Sequence, residues 1–502
     1  MLRACRPLHN GDCLERWNCQ NLVTWFPASA ISLGVLLPFA PASGIRPRHY
    51  RGTFVKRAVS YCSWALAALV STACVESDQT PVSPSLEQSR SSATVALRNE
   101  TLDETFARHA RAVPEFAGMW IDSAGRLIIN VTAASAASQA AAELAPFITE
   151  VRSRSPQLAG TTQFRVVSYD YASLQRWREL IFADLGASVS MLTLDIDETK
   201  AEIEIGVPNV AADSPTIAAY LQQKRIPQGA VRVAAAAPVL ITSGASTVLT
   251  SSAVTHQHLN LSLNPMPAGI VVAATGQGLC TYGANVKYNG VPAFITNTHC
   301  SAQPASVDAT PYHQGGTIIG TEIADPPFTY CYPYNCRYSD AVVVQLNGAK
   351  TGELGTIART RFFDSYPPDG GVGDTIIDDA QPRFPLIWPG YNTNNPVIGE
   401  QIQKVGRITG WIQGPINKTC FDRAGNDGFI RRCTHRFNGE VDQGDSGSPV
   451  FFRLVCPGDT YPLMNCASWA GIVWGESAGQ VYYSPASGLF RDFPGSFEFA
   501  NP

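Results

Sequence analysis

Two kinds of folded segment are predicted in this 502-residue chain. An α+β segment spans 96–240, and an all-β domain built as two barrels follows from 270 to 502. Three observations predict this. Residues 96–240 mix helical periodicity with alternating strand patterns and contain no cysteine. From Ile270 onward, short apolar runs recur between Gly, Pro and Asn turns, the texture of many short strands. The eight cysteines after residue 240 all fall in that second part: Cys280, Cys300, Cys331, Cys336, Cys420, Cys433, Cys456 and Cys466. An even, regionally confined set reads as disulfides in an oxidising compartment. The zinc alternative needs close CxxC-type pairs, which the sequence lacks.

Length and charge set outer bounds. A chain this long fits two or three domains. Its net charge of −4 is small, and no basic block suggests a nucleic-acid partner. No metal site or nucleotide-binding loop is evident, so no cofactor and no metal are expected. Calcium in a loop stays open, because loop carboxylates and carbonyls leave weak traces.

Taken in order, residues 1–54 show no periodic pattern and read as an extension upstream of the true translation start. Val55-Lys56-Arg57 is basic, Ala58 to Ala73 is uncharged and largely apolar, and Ser71-Thr72-Ala73 is a small-residue cleavage site. Together, 55–73 read as a secretory signal. The apolar run of about 16 residues is shorter than the roughly 20 that span a bilayer. Cys74 follows directly and weakly resembles a lipid-attachment cysteine. The expectation is a secreted chain, extracellular or periplasmic, membrane-bound only if Cys74 is lipidated. Residues 74–95 are rich in Ser, Pro and Gln and read as a linker.

Within the α+β segment, Gly118 to Thr132 predicts two strands around Ser123-Ala124-Gly125. Ala133 to Val151 and Leu174 to Leu185 predict helices. Val189 to Val207 alternates on both sides of Asp197-Glu198, a hairpin signal. The one histidine here, His109, reads as a surface residue. Residues 241–269 are Ser/Thr-rich and read as a linker or processing region.

The chemistry concentrates in the last domain. Gly444-Asp445-Ser446-Gly447-Ser448-Pro449 presents a serine at a tight turn. The flanking glycines allow close backbone approach, and the N–H groups of Gly444 and Ser446 suit an oxyanion hole. Alone, this motif also fits an ordinary turn. A serine hydroxyl needs a base to act as a nucleophile. Of the three histidines in this domain, His299 follows the apolar run Phe294-Ile295-Thr296 and precedes Cys300. His313 and His435 lie in polar surroundings and read as surface residues. A lone histidine after a strand is usually structural; beside the serine motif His299 becomes the candidate base. Asp340 leads into the apolar run Ala341 to Leu346, where a carboxylate needs a partner. It is the candidate orienting acid, or else a strand-leading turn aspartate. The chain order His, Asp, Ser is one of three convergent orders of a catalytic triad.

At these residues the chain resembles the trypsin/chymotrypsin-like serine protease superfamily, closest to its bacterial streptogrisin and α-lytic protease branch. The resemblance rests on Gly278 to Val286, Thr296 to Cys300, Ser339-Asp340-Ala341, Lys404 to Gly410 and Gly444 to Pro449, and covers roughly 270–495. It implies two antiparallel six-stranded β-barrels with His299, Asp340 and Ser446 at their interface. It implies a Cys280–Cys300 disulfide, with Cys420–Cys433, Cys456–Cys466 and Cys331–Cys336 plausible by neighbourhood. It also implies that 96–240 is a pro-region that assists folding and then inhibits until cleaved; an independent binding domain is the alternative. Slow folding of non-local β topologies gives a template a physical rationale.

Two finer expectations follow. The resemblance gives Arg407 the role of pairing with Asp445 to order the oxyanion loop; the bland alternative is a surface arginine. Val473-Trp474-Gly475 resembles the strand that binds substrate backbone, although the serine usual before the Trp is absent. Counting back from Ser446 places Glu440 near the base of the primary specificity pocket, where an acid favours Arg or Lys substrates.

The leading expectation is thus a monomeric endopeptidase acting on protein or peptide substrates, made as a precursor with its own pro-region. The alternative is a catalytically inactive, protease-like surface-binding module. An α/β-hydrolase esterase fails on motif and order, since no GxSxG precedes an acid and a late histidine.

Overall fold

A computed structural model of the chain describes residues 99–158, 160–241, 256–331, 333–365, 373–387, 395–459 and 463–499. The expectations for 1–95, including the signal and Cys74, lie outside the described residues, as does most of the processing region.

The α+β segment opens on α1 (Leu102–Ala112), capped by Thr101, whose side chain and Glu104 form a reciprocal capping box. Strands β1 (Phe116–Ile121) and β2 (Leu127–Val131) pair antiparallel across the expected turn, and β3 (Thr162–Val166) joins β2 in parallel. Helices α2 (Ala137–Arg154) and α3 (Tyr171–Leu185) follow the predicted helical patterns. A second layer holds β4 (Thr193–Asp197), β5 (Glu202–Val207), α4 (Val210–Lys224) and β6 (Val231–Ala235). The β4–β5 hairpin turns at the predicted site. Phe106, Phe116, Ile129, Tyr171 and Ile203 are among its fully buried core residues. His109 corrects the sequence reading. It is 5% exposed and meets Glu143 through Nδ1 at 3.1 Å, because it sits on the buried face of α1.

The segment of the first barrel holds β7 (Met266–Ala268), which belongs to a separate three-stranded sheet, then β8 (Val271–Ala274), β9 (Leu279–Thr281), β10 (Ala284–Tyr288), β11 (Val291–Thr296), β12 (Pro311–Gln314), β13 (Thr317–Ala324), β14 (Thr329–Cys331), β15 (Tyr334–Arg337) and β16 (Val342–Leu346). Of these, β14 and β15 form a hairpin that joins the second sheet. The main sheet runs β10-β11-β16-β13-β12-β8-β9. β9 and β10 are halves of one strand bent at Tyr282-Gly283, so its first and last members coincide and six strands close. Tyr282 stacks on Phe294 with ring centroids 4.2 Å apart at the centre of this barrel. Leu259 and Met266 are fully buried in the same core. The second half of the segment read as a linker therefore packs into the domain.

After β17 (Gly352–Ala358), β18 (Asp364–Ser365) and β19 (Arg383–Pro385), the second barrel comprises β20 (Gln401–Gly406), β21 (Gly410–Ala424), β22 (Ile430–Asn438), β23 (Pro449–Leu454), β24 (Cys466–Glu476) and β25 (Gln480–Pro485). The order β22-β25-β24-β23-β20-β21 closes through β21–β22 pairing. Alternation along the strands sends Ile402, Phe437, Val450 and Val481 inward. Helix α5 (Ala486–Asp492) and β26 (Phe497–Glu498) return to the first barrel, where β26 pairs with β10. The fold is thus two antiparallel six-stranded barrels preceded by an α+β region. All four expected disulfides are present: Cys280–Cys300, Cys331–Cys336, Cys420–Cys433 and Cys456–Cys466. Among the described residues, no helix is long and apolar enough to cross a membrane.

The α+β region and the second barrel share a sheet, because β4 pairs antiparallel with β21. Buried charge pairs flank that seam. Lys418 reaches Asp195 at 2.7 Å and Glu204 at 2.8 Å, and Arg154 reaches Glu400 at 3.0 Å. Burial of such charges is tolerated because each is paired.

Candidate active site

β11 ends at Thr296 and delivers His299 on a single 3-10 turn, Thr298–Cys300, pinned by the Cys280–Cys300 disulfide. Asp340 stands just before β16, which pairs with β11, so the two loops emerge side by side. His299 Nδ1 lies 3.0 Å from Asp340 Oδ1, and the His299 amide donates to the same oxygen at 3.3 Å. Asn297 Nδ2 donates to the Asp340 carbonyl at 2.6 Å, and the Asp340 amide donates to Ser484 Oγ at 2.9 Å. His299 Nε2 is buried and has no hydrogen-bond partner among the described residues. Asp340 is fully buried. Burial by itself pushes its carboxyl up. The Arg431 guanidinium and then His299 outweigh that and hold it far below the usual carboxylate range.

The serine loop lies between β22 and β23. Gly444 and Gly447 take φ of 102° and 89°, conformations that favour glycine. The amides of Gly444 and Ser446 donate to no described residue. Thr281 of β9 ties this loop to the histidine strand. Its amide donates to the Ser446 carbonyl (2.7 Å) and its hydroxyl to the Gly444 carbonyl (2.9 Å), while its own carbonyl accepts from Thr296 Oγ1 (2.9 Å). A Cβ on Gly283 would stand 2.6 Å from the Gly447 carbonyl and 2.7 Å from that of Ile295. That close approach brings the serine loop against β11 at Ile295, four residues before His299. Ser446 is 6% exposed. The geometry therefore gathers His299, Asp340 and the Ser446 loop at the junction of the barrels. Thr281 and Gly283 were not singled out in the sequence, since a threonine and a glycine in a strand carry no periodic signal.

Asp445 is corrected in one respect. Its partner is Lys404, whose Nζ lies 2.9 Å from Oδ2, with both side chains fully buried. Thr409 Oγ1 (2.6 Å) and the amides of Ile408 (2.9 Å), Thr409 (3.3 Å) and Asp442 (3.2 Å) complete its shell. These donors overcome the upward push of burial and keep the carboxyl below its ordinary value. Arg407 is buried but turns to Asn260 Oδ1 at 2.8 Å. Lys404 lies within β20 while Arg407 falls just past its end, and it is the lysine that meets the acid.

The substrate-strand expectation is also refined. Val473 exchanges hydrogen bonds with the serine loop, from Gly447 N–H (2.9 Å) and to the Ser448 carbonyl (3.0 Å), so it anchors that loop. The neighbouring Glu476 pairs antiparallel with Leu240, at the end of the α+β region, with N–H···O contacts of 3.1 and 3.3 Å. Val239 lies fully buried against Phe421, Trp474 and Tyr482, with Ile241 alongside, and it packs over Gly475. On its other side the same tail bonds the β21–β22 turn, through Ala424 and Asn426. Trp474 and Gly475 thus line this tail. Glu440 is half-buried just beyond β22, its carbonyl accepting from Thr409 Oγ1 at 3.3 Å. His435 is a further correction. It is fully buried, stacked on Tyr483 at 5.4 Å, and burial pulls it down to about 3, so it is a neutral core residue of the second barrel. His313 is half-buried, with Nε2 2.6 Å from Thr275 Oγ1.

Neither a family model nor a curated protein matches the chain. Among solved structures, a Nocardiopsis protease is 17% identical, covering 47% of this chain and 98% of its own, at a TM-score of 0.31. Chymotrypsin of Cellulomonas bogoriensis is 18% identical with the same coverages and a TM-score of 0.30. Protease A of Thermobifida fusca is 17% identical, again with 47% and 98% covered, at 0.31. In its motifs this chain resembles bacterial chymotrypsin-like serine proteases.

Proposed function

We propose that the chain is a secreted serine endopeptidase made with an inhibitory pro-region. The observation that carries this is the buried His299–Asp340 pair, whose Nε2 has no partner among the described residues, together with Thr281, which ties the Ser446 loop to the strand that leads to His299. In this reading Ser446 Oγ attacks the scissile carbonyl and His299 Nε2 takes its proton. His299 then returns that proton to the leaving amine, and water completes hydrolysis of the acyl-enzyme by the same route. Asp340 holds the imidazole through Nδ1–H and balances its transient charge. The Gly444 and Ser446 amides receive the developing oxyanion, a preorganised term of several kcal/mol in such sites.

The tail Val239–Ile241 supports the inhibitory role. It lies as an extended strand, one edge bonded to Glu476, with Val239 and Ile241 packed inward and Leu240 outward. A peptide substrate would take the same track. The four disulfides fit an exported enzyme. The test is hydrolysis of a denatured protein by the exported chain. Hydrolysis by wild type and none by Ser446→Ala supports the reading; equal hydrolysis by both removes Ser446 from it.

A further inference from the structure

Asp340 has two oxygens with different partners. Oδ1 serves His299. Oδ2 serves Arg431, whose Nε donates at 2.9 Å and whose Nη2 also donates to it. Arg431 is the second residue of β22, so it comes from the second barrel, while Asp340 and His299 come from the first. Its side chain is 1% exposed. Trp474 lies against its guanidinium at 4.9 Å. Asp427 in the β21–β22 turn accepts from Nη1 and Nη2 at 2.7 and 2.6 Å, and the Phe429 carbonyl accepts from Nη1 at 3.4 Å. That turn also binds the tail strand through Asn426.

We infer that Arg431 is a positioning residue of the catalytic centre, which fixes the triad carboxylate across the barrel interface and shares its negative charge with His299. The inference rests on the triad reading above. Its physical content is a division of labour. A guanidinium fork locks the carboxylate plane, so Oδ1 stays aimed at Nδ1. A permanent cation on Oδ2 also offsets part of the field that the carboxylate places on the imidazole. The other charges near the pair are few. Asp427 offsets part of the arginine. Asp325, bonded to Thr298 and paired with Arg337, and Asp492, bonded to Ser339 and Arg337, lie on the flanking loops. From β25 the facing group is the neutral Ser484.

The test is the pH dependence of kcat/KM for the exported, processed protein and three variants, with fluorophosphonate labelling of each beside Ser446→Ala. Arg431→Gln keeps a donor and removes the charge; its acid limb is expected to rise by about one pH unit. Arg431→Met removes both and is expected to lose kcat by about 100-fold with little change in KM. Asp427→Asn, on a half-exposed turn, frees the arginine for Asp340 and is expected to move the limb slightly down; it serves if the arginine variants do not fold. Superimposable acid limbs across wild type, Arg431→Gln and Asp427→Asn overturn the inference. Absence of labelling in wild type overturns the triad reading instead, so the two failures are distinct.

Discussion

The histidine side and the serine side of the cleft are each anchored on a fully buried aspartate, and each aspartate meets a buried cation from the second barrel. The resemblance ends there. Asp445 spends both oxygens on structure: Lys404, Thr409 and three backbone amides surround it. Asp340 divides its oxygens, one to the imidazole and one to Arg431. A saturated acid fixes a loop in one place. A divided acid holds its loop and, in the proposed mechanism, still presents a charge where charge would develop. The same residue type is therefore a clamp on one side of the cleft and an electrostatic partner on the other.

Substitutions that treat the two acids alike should separate them. The largest effect is expected from Asp340→Asn, which keeps the shape but permits the wrong imidazole tautomer; kcat should fall by about 10,000-fold with the fold intact, as read by peptide hydrolysis beside circular dichroism. Lys404→Met comes next. It strands a buried carboxylate, a loss of about 3–5 kcal/mol, so the thermal midpoint should fall by about 10 °C, whereas Lys404→Arg should stay close to wild type. Equal thermal loss in Asp340→Asn and Lys404→Met would erase the distinction between clamp and partner.

Two smaller effects sharpen the picture outside both loops. A Cβ at Gly475 would stand 2.5 Å from Val239 Cγ1 and 3.1 Å from the Leu240 carbonyl. Gly475→Val should therefore raise KM about tenfold with kcat nearly unchanged, the mark of lost uniform binding. The smallest effect concerns pH. Asp103 is pushed up to about 6 by burial, against the pull of Arg178 and Tyr171. A carboxyl raised above its unfolded value costs nothing while both states are protonated, and its penalty grows as pH rises from about 4 to about 6. The precursor should lose a few degrees of thermal midpoint across that window, and Asp103→Asn should flatten the loss. Asp445 runs the opposite way: its lowered carboxyl stabilises above pH 4 and gives that up as pH falls below it.

Much of this was legible in the residues. The apolar run after Asp340 and the glycines around Ser446 are local signals, and their structural outcome is local too. The β4–β5 hairpin and α2 followed from periodicity over a dozen residues. What escaped was the identity of partners far apart in the chain. Arg431 lies 91 residues from Asp340, and a basic residue in a strand gives no sign of where its fork will point. Arg407 and Lys404 share one short motif, yet Lys404 lies within β20 and faces Asp445, while Arg407 falls just past the end of that strand and bonds Asn260. His109 and His435 read as surface residues because their sequence neighbours are polar, while their side chains turn inward on α1 and β22. Thr281 joins the two loops by backbone and hydroxyl bonds alone, which no composition records.

The central claim is that Ser446 is an activated nucleophile released from its pro-region. The most direct measurement is fluorophosphonate labelling of exported protein, with the intact mass of the labelled species and a Ser446→Ala control. The account predicts one label, absent from the control, on a fragment that begins after Ile241 and before residue 270. A folded, processed chain that takes no label, or takes it equally without Ser446, would contradict it.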